Sequence, residues 1–217
     1  MKQSVEDFYN DQWRSRKTIS EYNLFLIIFD SALQKSYNLL GDPYGKKILE
    51  IGCGSGQQAL HFASAGAKVT AIDVSLQSFK ALRNEARKRK LNHLRLQLMN
   101  AENITFADNT FDVIYINSVL MHVHKDRVLR HCARVLKPEG KLIVVEPLAG
   151  NPLLALVRRF SKYQSMNPQY MTLQEFKMYT SLFSSFQHHE FYFFSWCLFP
   201  LYKLINNQKI IVFFQKM

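Results

Sequence analysis

The sequence predicts an α/β fold built on a doubly wound, mainly parallel sheet. Three observations predict it. Lys47–Ile51 (KILEI) is a short apolar run that enters Gly52-Cys53-Gly54-Ser55-Gly56 and then Gln57–Ala65 (QQALHFASA), which carries small and apolar residues at helical spacing. That order of buried strand, glycine turn and helix opens a nucleotide-binding α/β unit. Lys68–Ile72 (KVTAI) reads as a second strand and ends on Asp73. Phe111–Asn117 (FDVIYIN) is a continuous apolar run, as expected of a strand covered on both faces of a parallel sheet.

The glycine turn has a physical purpose. Glycine lacks Cβ, so the chain can bend sharply and a ligand can lie against the main chain. The dinucleotide fingerprint needs Gly or Ala three residues after its second glycine, and counting from Gly54 that position is Gln57. A phosphate loop ends in Gly-Lys-Ser/Thr, and no Lys stands here. Instead Glu50 lies two residues before the first glycine. A carboxylate there repels pyrophosphate and suits a cationic head such as a sulfonium or ammonium. An acid at the end of the second strand, here Asp73, commonly accepts both ribose hydroxyls. Two acids without a phosphate clamp point to an adenosine ligand that carries no phosphate.

Four stretches now stand in order: ILEIGCGSG (48–56), AIDVS (71–75), NAENITFADNTFDVIYINSVLMHV (100–123) and LKPEGKLIVVEP (136–147). Together they resemble the class I S-adenosylmethionine (SAM)-dependent methyltransferases. One such motif is weak, but a series in the right order is specific. The resemblance implies a Rossmann-like, doubly wound seven-stranded sheet, mostly parallel, with an antiparallel C-terminal hairpin and an N-terminal helical cap. It implies SAM as cofactor and S-adenosyl-L-homocysteine as product. The residues matching the cofactor motifs are Glu50, Gly52, Cys53, Gly54, Asp73, Val74, Ala101, Glu102 and Asn117, with Tyr9 from the cap.

At 217 residues the chain is expected to form one domain. Residues 1–40 would be the cap, 41–147 the SAM-binding core, and 148–217 the substrate-side helices and hairpin. A net charge of +11 favours an anionic surface, an acidic substrate or nucleic acid, or reflects only a basic proteome. Cys53, Cys132 and Cys197 show no CxxC or metal spacing and read as reduced thiols of a cytoplasmic protein. Met1–Asn10 is polar and acidic, unlike a signal peptide.

In chain order, the segment from Ser4 begins a helix capped by Ser4, with Tyr9 and Trp13 four apart on one face. Those aromatics either reach the site or pack on the core. Ile19–Leu40 is a long apolar helical pattern whose LFLIIF run is too short to span a bilayer. Gly41–Gly45 is a turn. Leu76–Lys90 is a basic helix and Leu94–Leu98 a third strand. In the family the turn after that strand reaches the adenine, here through Asn100, Ala101 or Glu102, with Ala101 and Glu102 ranked first.

Asn117-Ser118-Val119-Leu120 follows the fourth strand, where parallel sheets bind ligands. Enzymes that methylate base amino groups show Asn/Asp-Pro-Pro-aromatic at this place. Nucleic acid is therefore disfavoured as acceptor. His122 matches a histidine of small-molecule members and is the candidate catalytic base, or else it packs against the next helix. His122 and His124 make a poor metal pair, and no metal is expected.

Lys125–Leu136 is a helix ended by Lys137-Pro138-Glu139-Gly140, and Lys141–Glu146 is the fifth strand. Gly150–Tyr170 adds a helix that groups Arg158, Arg159 and Lys162. Thr172–Phe183 adds another, with Thr172 and Glu175 as a capping box. His188–Cys197 and Gln208–Lys216 read as the two hairpin strands. The aromatic run Phe191–Tyr202 suits that hairpin or a peripheral membrane contact. The expected function is methyl transfer to oxygen or nitrogen of a small molecule by in-line displacement. The alternatives are a lipid or quinone acceptor at a membrane surface and a SAM-binding module without turnover.

Overall fold

A computed structural model describes residues 23–149 and 167–190. In chain order the elements are α1 (Asn23–Leu40), β1 (Lys47–Ile51), α2 (Gln57–Ser64), β2 (Lys68–Asp73), α3 (Leu76–Lys88), β3 (Leu94–Leu98), β4 (Phe111–Asn117), α4 (Lys125–Val135), β5 (Leu136–Val145) and α5 (Leu173–Met178). One-turn 3₁₀ segments lie at Leu120–His122 and Thr180–Leu182. The described strands form one sheet in the order β3-β2-β1-β4-β5, with every pair parallel. The order reverses between β1 and β4. The carboxyl ends of those two strands therefore open the crevice in which such sheets bind ligands.

Alternating strand residues feed two cores. Ile48, Val69, Val113 and Tyr115 face Phe62, Phe79 and Leu82 of α2 and α3. Leu49, Ile51, Ile114 and Ile116 face Val128, Leu129, Cys132 and Val135, the apolar stripe of α4. Burial on both faces is why β1 and β4 are continuously apolar. Tyr115 brings α1 onto this sheet. Ser36 Oγ donates to Leu33 O at 2.6 Å, so the Tyr115 hydroxyl is the donor in their 2.8 Å contact. Tyr115→Phe removes that one buried bond. It is expected to lower stability by about 1 kcal/mol, read as a shift of the urea midpoint with an unchanged slope.

Loop 104–108, between β3 and β4, has no ladder of its own. Arg134 of α4 fastens it, donating to the carbonyls of Ile104 and Phe106 and to Asp108 Oδ1, each at 2.7 Å.

Three elements depart from the sequence expectation. Helix α3 stops at Lys88 rather than Lys90, where Lys90 turns left-handed at φ 55°. Strand β5 begins at Leu136, because Lys137-Pro138-Glu139-Gly140 is extended rather than a turn. The register jumps from Phe111↔Leu136 to Val113↔Lys141, so proline and glycine lie in a bulge. The helix predicted over Thr172–Phe183 divides. Its capping box at Thr172 and Glu175 is formed, but Thr180 Oγ1 bonds back to Lys177 O at 2.7 Å and the chain tightens to 3₁₀.

Residues 167–170 and 188–190 lie in no helix or strand. The start of the cap (residues 1–22, with Tyr9 and Trp13), the stretch carrying Arg158, Arg159 and Lys162, and both hairpin strands beyond Glu190 lie outside the described residues. The sheet among the described residues thus has five strands, not the seven expected of the whole. No helix among the described residues is long and apolar enough to cross a membrane.

Candidate cofactor and acceptor site

The site starts with the turn after β1. Gly52 and Gly54 take positive φ, at 68° and 49°. Gly52 N and Cys53 N both donate to Ile72 O of β2, at 2.8 and 3.1 Å. A Cβ placed on Gly52 would lie 2.4 Å from Val119 Cγ2. The turn is thus clasped by β2 on one side and by the loop after β4 on the other.

Asp73, at the end of β2, completes that grip. Its Oδ2 accepts Gly54 N and its Oδ1 accepts Ser75 N, both at 2.8 Å. Burial raises its pKa, opposed by the N–H groups of Ser75, Gly54 and Val74. A carboxylate has about four acceptor positions, so each oxygen keeps capacity for a hydroxyl. Met99 N donates to Asp73 O at 3.0 Å, which sets the turn after β3 beside it.

Glu50 sits on β1 between Ala71 and Tyr115, only 2% exposed. Its Oε2 has no hydrogen-bond partner among the described residues. Burial pushes the carboxyl up to about 8, the Ala59 N–H draws it back, and the nearby Asp73 adds to the rise. Cys53 is buried beside it, with its thiol driven up first by burial and then by Glu50 and Asp73. That thiol is therefore protonated and unreactive.

In the turn after β3, Ala101 is buried, and Asn100 Oδ1 accepts Glu102 N at 2.8 Å. Glu102 also bonds within the protein. Its Oε1 accepts His124 N at 3.0 Å and its Oε2 lies 3.5 Å from Arg127 Nη1, fixing the start of α4. After β4, Asn117 Oδ1 accepts the Ser118 hydroxyl at 3.1 Å, and Ser118 is left-handed at φ 58°. Val119 N and Leu120 N both donate to Glu146 Oε1, at 2.6 and 2.7 Å. His122 ends this turn, and burial pushes its imidazole down to about 4. It is therefore neutral at physiological pH.

The family described as a methyltransferase domain matches residues 49–144, the span from β1 to β5. Residues 49–144 are a methyltransferase domain of the class I S-adenosylmethionine-dependent kind. Methyltransferase GfsG of Streptomyces halstedii is 32% identical over 116 residues, 52% of this chain and 42% of that protein. The ubiquinone biosynthesis O-methyltransferase of Coxiella burnetii is 35% identical over 99 residues, 45% of this chain and 42% of that protein. The chain thus spans 42% of the length of each of these curated relatives. Among solved structures, geranyl diphosphate C-methyltransferase from Streptomyces coelicolor A3(2) shares the fold. Its TM-score is 0.65 at 14% identity, over 81% of this chain and 77% of that one. That crystal structure holds Mg2+, geranyl diphosphate and S-adenosyl-L-homocysteine.

The methyltransferase domain fits SAM on its own geometry. A buried carboxyl oxygen without a partner calls for a donor or a cation, and Glu50 Oε2 is one. The backbone turn leaves no side chain between the chain and a ligand at Gly52 and Gly54. Glu50, Gly52, Cys53, Gly54, Asp73 and Val74 come together at the ends of β1 and β2. Ala101 and Asn117 lie at the neighbouring strand ends, and Tyr9 lies outside the described residues. Glu146 escaped the sequence reading. Its signal was available: it is an acid at a strand's carboxyl end, as Asp73 is.

Proposed function

We propose that this methyltransferase transfers a methyl group from SAM to an oxygen or nitrogen of a small-molecule acceptor. The observation that carries the reading is the pair of acids about the glycine turn. Glu50 is a buried acid awaiting a cation, and Asp73 is anchored by Gly54 and Ser75. Glu50 would take the cationic methionine end, and Asp73 the ribose hydroxyls. Gly52, Cys53, Gly54 and Val74 would lie along the ligand, with Ala101, Glu102 and Asn117 at its adenine and sulfur ends. When bound, SAM supplies a methyl already activated on a sulfonium sulfur, so an acceptor lone pair displaces a neutral thioether in line. The chain's own part is to orient the acceptor and to exclude water. His122 would take the acceptor's proton at a ring nitrogen. Its low pKa keeps it unprotonated and makes it a weak base, suited to an acidic hydroxyl.

A quinone-type acceptor is the second reading, supported by the likeness to a ubiquinone biosynthesis O-methyltransferase. In either case residues 41–147 would bind the cofactor, and the flanks 1–40 and 148–217 would select the acceptor. The protein would act in the cytoplasm, as a single domain.

Asp73→Ala tests the cofactor assignment. Removing a carboxylate that holds two hydroxyls is expected to weaken SAM binding by at least about a hundredfold, measured by titration calorimetry. An unchanged Kd would mean that Asp73 only shapes the loop. S-adenosyl-L-homocysteine release from a panel of phenols, catechols and amines then separates an enzyme from a silent binding module.

A further inference from the structure

We infer that Glu146 is a positioning residue for methyl transfer, holding the Val119–Met121 turn and through it coupling the cofactor loop to the segment on the acceptor side. The inference rests on the proposed function and deepens it. Glu146 directly follows β5, and its Oε1 receives both Val119 N and Leu120 N at under 3 Å. Short paired bonds to a carboxylate are strong ones. Val119 packs its Cγ2 into the space above Gly52, where no Cβ stands. The turn that Glu146 holds is therefore pressed against the cofactor loop.

The far side of the same turn reaches the acceptor segment. Met121 O accepts Gln169 N at 2.7 Å. Two residues after Glu146, Leu148 bridges in parallel to Met171, and Ala149 N donates to Met171 O at 2.7 Å. Residues 169–171 thus hang from both ends of the structure that Glu146 joins. A shift of the cofactor loop moves Val119, and Val119 cannot move without its bond to Glu146. Leu120 is fully buried in the α4 core, which holds the turn from its other side.

The test uses the full chain and SAM as the probe. Hydrogen exchange is followed at residues 119–121 and 167–171, with and without SAM, in wild type, Glu146→Gln and Glu146→Ala. SAM is expected to slow exchange in both segments of the wild type by about fivefold or more. Glu146→Gln keeps an accepting oxygen and should retain the effect. Glu146→Ala should lose it at 167–171 while its SAM Kd moves by less than about threefold. Glu146→Met keeps the volume without a comparable acceptor and repeats the comparison should the alanine variant unfold. A wild type that ignores SAM overturns the parent reading. A wild type that binds SAM, beside an alanine or methionine variant that still transmits the protection, overturns this inference alone.

Discussion

Glu50→Gln is expected to make the ligand-free protein more stable and to weaken SAM binding by about a hundredfold. Both effects have one cause. The Glu50 carboxyl is nearly sealed from water, and its pKa stands at about 8 against an ordinary 4.5. Between those values the folded protein holds a proton that the unfolded chain has lost. Stability therefore falls as pH rises through that window, by up to about 1.4 kcal/mol per pH unit for one proton. Glutamine cannot ionise, so this part of the slope disappears. Glu146, raised to about 7 by burial, supplies a smaller fall of the same sign that the variant keeps. A cationic ligand reverses the balance: it ionises Glu50 on arrival and expels the proton. Wild-type affinity should then climb from pH 6 to pH 8, toward the pKa of about 8. Calorimetry in two buffers of different ionisation heat reads the released proton directly. Equal heats in both buffers would sink the assignment.

Gly52→Ala should abolish measurable SAM binding and destabilise the fold by about 2–4 kcal/mol. Alanine pays a conformational penalty at φ 68°, and its methyl would meet Val119 Cγ2 at 2.4 Å. Val119 has little room to retreat, because its backbone is tied to Glu146 at 2.6 Å. Gly41→Ala is the control. Gly41 is also left-handed, at φ 77°, but a Cβ there meets nothing within 4 Å. It should lose about 1 kcal/mol and bind SAM normally. A Gly52 variant that binds SAM within threefold of wild type would show that the turn does not touch the ligand.

The core was legible because its signals are local. A buried strand, a glycine turn and an acid at each strand end are adjacent in sequence, and their chemistry follows from their order. Glu50 and Asp73 could be singled out this way. Glu146 carries the same strand-end signal, but its partners Val119 and Leu120 lie more than twenty positions earlier, so its role does not follow from local order. Glu102 shows what sequence order cannot give: besides the ligand role expected of it, its carboxylate meets His124 N and Arg127 at the start of α4. The start of β5 was misread because Pro138 and Gly140 mark turns by composition, while here a bulge absorbs them. The flanks 1–40 and 148–217 carry aromatic and basic residues that serve equally well in a core, on a surface or in a site. No periodicity distinguishes those uses.

Arg134 and Glu50 divide the molecule into two kinds of fastening. A guanidinium stays charged at any pH a protein survives, so its bonds to the carbonyls of Ile104 and Phe106 persist from neutral to alkaline pH. The two raised carboxyls change their charge over that range. As the medium turns alkaline, the ligand-free protein should slacken first around Glu50 and Glu146, while the loop that Arg134 holds keeps its shape.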